Sequence, residues 1–581
     1  VCDERLLGHW PLECDARDIS GACNHGRPYG VQFGVEGPCE SSGTAARFDG
    51  RGASIEIPAS DALKPGTGDF TLCAWVRTDD PTLGPIGDIA SMWDAQERRG
   101  FGLSIHGSAA GYCGMGDVRS VHFGLDNAMD HPWVDCGKPW PSNTGIASMA
   151  VWNGDLYVGI ADADGDKRDA CHVFRYVEPG VWEDCGRVGE SLRTHTAYSL
   201  VVFNGALYCG TGRYDWCSVG PQTCDFVRVY RYDGGTEWVD CGQPGRNYRI
   251  LSLAPYDGAL YCGTDAMAAS PDAGKVYRWD GGTGWIDCGR LGCQYSVFAL
   301  CVYRGRLFGG TQWGEVHRYE GGVEWAYIGR PFGNTQIHCL TVYRGGLVAG
   351  TWPEGIVARW EGGLDWSWQG ALGDVTGHTY GETDNPQVSP INEVNDLTVH
   401  NGKLYAGVIP KGEVYRRGDD GTWTMVRRLV TAPDYNPHHT DGWSRVTCMA
   451  AFRGRLFAAT SSCRGAADPN AHHEAGAVFS TMAGQCVSHD HDIGPGWHHI
   501  AAMRRWGRLE LWIDGARTAV SEPFPSASYD LDSDAPLRIG AGALDTFRGD
   551  MCDVRLYRRG LAEDEVRAAA ASGGGAGACA R

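Results

Sequence analysis

Along the middle of the chain, short apolar stretches alternate with Asn-Gly, Asp-Gly and Gly-Gly turns in one recurring order. An apolar stretch ends in a turn, as in YSLVVFNG, LSLAPYDG, FALCVYRG and HCLTVYRG; a second follows, ALYCGT or RLFGGT; then a third, RVYRYDGG or KVYRWDGG. A phrase built on Trp closes each unit, and in EWVDCGQPG the Trp and Val alternate with Glu and Asp as a half-exposed strand requires. Short runs bounded by such turns are strands joined as hairpins.

The Trp residues of the closing phrase are Trp133, Trp182, Trp238, Trp285, Trp325, Trp366 and Trp423, spaced 40 to 57 residues apart. A period of that length with four short strands per unit predicts a β-propeller. The first strand recurs seven times, ending at Gly154, Gly205, Gly258, Gly305, Gly345, Gly402 and Gly454, so seven blades are expected. The series opens on a Trp phrase with no third strand before it and closes on GAVFS with no phrase after it. The ring should therefore close by pairing residues 133 to 136 with the last third strand. In that setting Cys136, Cys185, Cys241 and Cys288 of the Asp-Cys-Gly phrases fall one per blade, too far apart to share a metal.

Outside the repeat the character changes. HWPLECDARDISGACNHG, ARFDGRGASIEIP and FTLCAWVRT come before it, and GWHHIAAMRRWGRLELWIDG, APLRIGAG and FRGDMCDVRLYRRGLAEDEV after it. Together these segments resemble the laminin-G-like, concanavalin-A-like jelly roll, which implies a two-sheet sandwich often used for carbohydrate recognition or packing and sometimes carrying calcium. The expected organisation is all-β: residues 1–130 as the first half of the sandwich, 131–480 as an inserted seven-bladed propeller, 481–572 as the second half, and 573–581 as a flexible tail.

Bulk composition narrows the function classes. The chain of 581 residues carries 51 basic and 71 acidic groups, a formal charge of -20, which repels nucleic acid and anionic membrane surfaces. No apolar run is long enough to span a bilayer. The 23 cysteines, mostly single within strands, suggest an oxidising compartment with disulfides, hence a secreted, extracellular or periplasmic protein, expected to be a monomer. The chain opens on Val1, which leaves room for a leader already removed.

Within each unit the turns after strands one and three are tight, while the other two connections run long. Both long connections emerge on one face of an up-and-down blade, and that face is where function is expected. Ten residues before the terminal Gly stand Thr144, His195, Tyr248, Tyr295, Thr335, Asn392 and Ser444; nine before stand Gly145, Thr196, Arg249, Ser296, Gln336, Glu393 and Arg445. Six before, the column is small, with Ser148, Ser199, Ser252, Ala299, Cys339, Asp396 and Cys448, as expected where seven strands crowd an axis. His195, Tyr248, Arg249 and Tyr295 lie on three consecutive blades and form the candidate catalytic set. The long loops add His378 and Tyr380, then His438, His439 and Trp443, which with Arg445 are candidate substrate contacts.

A His/Tyr/Arg set suits removal of a proton beside a uronate carboxylate: Arg249 neutralises the carboxylate, and His195 with Tyr248 or Tyr295 takes and returns protons. The architecture resembles propeller-type polysaccharide lyases, which act on glucuronate- or rhamnose-containing polymers; the likeness is of fold and residue type. It implies a polysaccharide or oligosaccharide partner and β-elimination. Two alternatives stay open. A non-catalytic glycan-binding or structural protein needs only a polar rim. A glycoside hydrolase needs two carboxyls, and Glu382, Asp384, Glu393 and Asp396 are available. Trp313 and Trp352 either stack on sugars or pack between blades. No cofactor is required; calcium is the ion that Asp162, Asp164, Asp166 and Asp169 would suit, in a structural role, against the plainer reading of a solvated acidic turn. The histidine pairs His438–His439 and His472–His473 raise a metal site as a further alternative, although adjacent histidines point apart.

Overall fold

The computed structural model describes residues 5–38, 43–107, 118–161, 170–213, 225–266, 270–373, 392–409, 411–431, 444–462 and 474–572. Among them the regular structure is nearly all strand, with one α-helix, Glu563–Ala571, and a few single 3-10 turns. No helix among the described residues is long and apolar enough to cross a membrane.

Residues from both ends of the chain build two facing sheets. In one, the strand Arg548–Tyr557 lies between Thr44–Asp49 and Phe70–Thr78, and Trp497–Arg505 follows on the far side of Phe70–Thr78. In the other, Leu537–Ile539 sits between Ser54–Ile57 and Gly87–Asp94. Early and late segments thus alternate within each sheet. A single apolar core, including Trp10, Phe48, Phe70, Phe101, Phe123 and Leu511, fills the space between them.

The intervening segment forms seven four-stranded antiparallel groups among the described residues. Their innermost strands are Gly145–Trp152, Thr196–Phe203, Arg249–Tyr256, Val297–Tyr303, Gln336–Tyr343, Glu393–His400 and Arg445–Phe452, each adjoining the next and the last adjoining the first. This is the propeller arrangement. The first hairpin turn has the same backbone in every group: Asn204 and Gly205, with φ of 47° and 74°, typify a pair of positive values matching a type I′ turn. Ring closure follows the expected route, since Val134 and Asp135 pair with Ser480 and Phe479.

The Asp-Cys-Gly phrase is architecture. In EWVDCG the Asp240 carboxylate accepts the Gly242 amide at 2.7 Å, an Asx turn, and the same bond recurs at Asp135, Asp184 and Asp287. Gly242 has φ 97°, and a Cβ there would meet the Thr283 carbonyl oxygen at 1.9 Å. The turn presents a carbonyl to the following group: Trp182, Trp238, Trp285 and Trp325 donate their indole N–H to the backbone oxygens of Cys136, Cys185, Cys241 and Cys288 at 2.8–3.0 Å. Trp366 and Trp423 do the same to Ile328 and Gln369.

Among the described residues the cysteine count does not translate into cross-links. None of the sixteen cysteines there forms a disulfide, and most are buried as small apolar side chains.

The two parts meet along two lines. The chain passes between them on Ser120–Asp130 and Ala483–His489, which pair with each other. The tight-turn face of the ring rests on the sandwich, where buried Lys403 meets buried Asp126, itself bonded by Arg98 at 3.1 Å, and the Lys403 ammonium lies 4.8 Å from the Trp93 ring. The long-connection face therefore points away from the sandwich.

Replacing Trp238 by Phe keeps the packed ring but leaves the Cys185 carbonyl without its donor, a cost of about 1–3 kcal/mol. Trp238→Ala should cost about 3–5 kcal/mol. Urea unfolding of both variants against the parent measures the difference between clasp and packing.

Candidate functional site

Every innermost strand carries the same irregularity. Its pairing with the second strand skips one residue, seven positions before the turn Gly, leaving Ala147, Tyr198, Leu251, Phe298, His338, Asn395 and Thr447 out of register. Such a bulge bends the strand and re-aims the bulged side chain. Tyr198, Leu251 and Phe298 of groups two to four fall in one apolar cluster that extends into groups five to seven, as side chains facing a common axis do. The Phe298 ring stacks on His338 with centroids 4.6 Å apart. The channel wall is thus apolar on one side and polar on the other, where His338, Asn395 and Thr447 stand. Asn395 is 1% exposed, and both its amide atoms lack hydrogen-bond partners among the described residues.

One step nearer the long-connection face lies the column Thr196, Arg249, Ser296, Gln336, Glu393 and Arg445. Arg249 donates to Asp265 at 2.6 Å, and Asp265 also accepts the Ser296 hydroxyl. His338 Nδ1 lies 3.2 Å from the Glu393 carboxyl, and its Nε2 contacts the Gln336 amide oxygen. Burial dominates the electrostatics. It pushes Glu393 up to about 7, against the pull of Arg445, and holds His338 well below the usual imidazole range, with Arg445 and Arg249 adding to that effect. Arg249, His338 and Arg445 belong to groups three, five and seven, so this mutual field places all three at the channel. At neutral pH a neutral imidazole lies beside a carboxyl near the midpoint of its titration.

The candidate residues divide accordingly. Arg249 and Arg445 are brought together with His338 and Glu393. His195, Tyr248 and Tyr295, one position earlier, lie at the seams between groups: the Tyr248 carbonyl accepts Arg213 N–H at 3.2 Å, the Tyr295 carbonyl accepts Ala266 N–H at 3.2 Å, and His195 is only 3% exposed. The Tyr248 ring packs 5.7 Å from Phe226 and beneath the Arg213 guanidinium at 5.6 Å. The small column six before the Gly does not line the axis. Ser148 donates to the Ala197 carbonyl at 2.8 Å and Ser199 to that of Ile250 at 3.2 Å, so these side chains stitch neighbouring groups together. Trp313 is about half exposed (49%) and Trp352 less so. Asp162, Asp164, Asp166, Asp169, His378, Tyr380, Glu382, Asp384, His438, His439, Trp443, His472 and His473 lie outside the described residues. Among those described, no group of three metal-ligating side chains converges.

One residue at the centre of this cluster, His338, escapes a reading by columns. His338 sits in the bulged column, whose other members in groups one to four are Ala, Tyr, Leu and Phe; its polarity there was the available signal. Glu393 is legible as a carboxyl, but its partner is not.

Because the carboxyl of Glu393 titrates higher folded than its ordinary value of 4.5, the folded state binds the extra proton between pH 4.5 and about 7. Stability therefore falls as pH rises through that window and stays reduced above it. Glu393→Gln removes the penalty, on the order of 3 kcal/mol at full effect. Urea unfolding at pH 4 and pH 8 should show the variant gaining on the parent at pH 8 far more than at pH 4.

Residues 479–567 match the family model described as the concanavalin A-like lectin/glucanases superfamily. No curated protein sequence matches the chain. Among solved structures, similar folds include the extracellular domain of the putative hybrid two-component system BT4673 from B. thetaiotaomicron, 13% identical, TM-score 0.40, covering 67% of this chain and 47% of that one. The WD40 β-propeller domain of Doa1 is 11% identical, TM-score 0.39, covering 60% and 97%. A catalytically inactive virginiamycin B lyase from Staphylococcus aureus, with quinupristin, is 8% identical, TM-score 0.38, covering 61% and 99%. At these identities the likeness is one of fold alone.

Proposed function

We propose that this chain is a carbohydrate-active protein that cleaves a uronate-containing polysaccharide by β-elimination at the long-connection mouth of the ring, acting outside the cytoplasm as a monomer. The observation that carries the reading is the Glu393–His338 pair, with the charge of Arg445 acting on both members and that of Arg249 on His338. In the elimination a base takes the proton on C5 beside the uronate carboxylate, and that electron pair forms the C4–C5 double bond. The C4–O glycosidic bond breaks, and an acid returns a proton to the departing oxygen.

Arg249 is engaged by Asp265, and Arg445, whose charge acts on both Glu393 and His338, is assigned to the substrate carboxylate. Glu393, poised near neutrality, suits the returning proton, with His338 positioning it. Tyr248 and Tyr295, half-buried at the mouth, remain the candidate bases. Burial of His195 and His338 favours a second reading, a channel that grips a glycan end without cutting it.

One experiment separates the two. Polygalacturonate, alginate, hyaluronan and a rhamnose–glucuronate polymer are incubated with the protein while the ultraviolet absorbance of the unsaturated product is followed. Cleavage is expected for at least one, with kcat lowered about 100-fold or more in Glu393→Gln and KM raised in Arg445→Ala. Silence on all four, with retention on an immobilised polymer, establishes binding alone. Unchanged activity in His195→Ala removes that residue from the mechanism.

A further inference from the structure

The tight-turn face of the ring rests on the sandwich unevenly. The turns of several groups bond to it directly: Gly154 N–H to the Asp490 carbonyl at 2.8 Å, Gly305 N–H to that of Leu83 at 3.1 Å, and Arg344 N–H to that of Leu544 at 3.0 Å. Gly454 N–H donates to the Ser488 hydroxyl at 3.0 Å. The turn of the second group, Asn204–Gly205, stands back. Its Gly205 carbonyl is taken by the Trp152 indole at 3.0 Å, and both turn residues line a space left against the sandwich. A cleft of about 730 Å³ opens there between the two domains, a size that holds small organic ligands.

Its two walls differ in chemistry. Val151, Trp152, Phe203 and Pro255 line the propeller side, and Asp79, Asp80, Arg119, Asp490 and Asp492 the sandwich side. Trp152 is held in place by Tyr157 and Tyr232, with ring centroids 5.6 and 5.8 Å away. Most of the charge is already answered. Asp79 pairs with Arg47 at 2.8 Å, Asp492 accepts both arms of Arg119 at 2.8 and 3.0 Å, and Asp490 accepts the Ser488 hydroxyl at 2.7 Å and the Arg453 amide at 2.9 Å.

An anion would face four carboxylates here, and a cation would find Asp79 and Asp492 already paired with arginines and Asp490 already hydrogen bonded. What remains are carboxylate oxygens with further lone pairs, the Asn204 amide and the Asn153 amide, whose oxygen already meets His491 Nδ1 at 3.3 Å, opposite a firm apolar and aromatic wall. That combination fits a ligand with one apolar face and a rim of hydroxyls, without net charge. We infer that this interdomain cleft is a binding site for a short neutral saccharide, separate from the channel mouth and independent of any elimination there.

Titration calorimetry of the full chain with cellobiose, maltose, mannobiose and lactose tests the site. At least one disaccharide should bind, and Asn204→Arg should weaken it about tenfold or more while leaving Tm unchanged. Arginine is compatible with that turn, because Arg304, Arg344 and Arg453 occupy the same position in groups four, five and seven with φ of 49°, 48° and 47°, against 47° at Asn204. Asn204→Asp should retain binding. The inference is overturned if none of the four binds, if Asn204→Arg binds as the parent does, or if affinity is lost in Arg445→Ala instead, which would move the saccharide to the channel mouth.

Discussion

The structure depends on a single repeated bond, the indole N–H of one group held by the backbone carbonyl of the group before it. The strands of a blade bond to one another, but neighbouring blades have little backbone pairing between them. What lies between are apolar cores, such as Ala150, Val173, Leu200 and Leu207 between groups one and two, and Val201, Val229, Leu253 and Leu260 between groups two and three. Apolar contact is non-directional and would tolerate sliding. The tryptophan bond is directional, sits at the outer edge where the cores are thinnest, and sets the spacing of outer strands while the crowded axis sets that of the inner ones. The Asp-Cys-Gly turn exists to present that carbonyl, which explains why an acid and a thiol recur side by side without any shared chemistry.

This bond also explains what could be read from the chain alone. Hairpin turns, strand alternation and the Trp phrase are local signals, each complete within a few residues, so the repeat, the route of ring closure and the structural role of Asp-Cys-Gly were all legible. The wall of the channel was not. Alternation along an undisturbed strand predicts which side chains face the axis, but the bulge at Ala147, Tyr198, Leu251, Phe298, His338, Asn395 and Thr447 resets that prediction in every group. Ser148 and Ser199 thereby leave the axis for the seams, and His338 takes a place on it. The cysteines misled for a related reason: a small, buried, weakly polar side chain serves a crowded strand whether or not it ever meets a partner.

Ring geometry makes the electrostatics of the axis unlike those of an ordinary core. Arg249 and Arg445 are nearly two hundred residues apart in the chain, yet both act on His338 because the axis is the one place where alternate groups face each other. Burial raises Glu393 and Asp396 together, to about 7 and about 6. Asp396 is answered locally, by the Met449 amide at 2.7 Å and the Thr398 hydroxyl at 3.1 Å. Glu393 has instead a histidine that burial keeps neutral. Two acids on one strand thus have different surroundings, one fixed in the seam and one poised at the channel.

The inserted arrangement gives that channel a direction. Both chain passages run as one paired ribbon, and the sandwich lies across the tight-turn end, where Pro85, His106 and Leu544 approach Met149, Thr341 and Thr398 around a space of only about 50 Å³. A polymer could not thread through a ring stopped in this way; it could only present an end or a bend to the opposite mouth. Charges buried at the domain junction hold the stop in place, since separating Lys403 from Asp126 would strip a buried ammonium of its carboxylate and leave Asp126 to Arg98. The sandwich therefore does for the channel what a lid would do from the other side, and only the long-connection face is left as the way in.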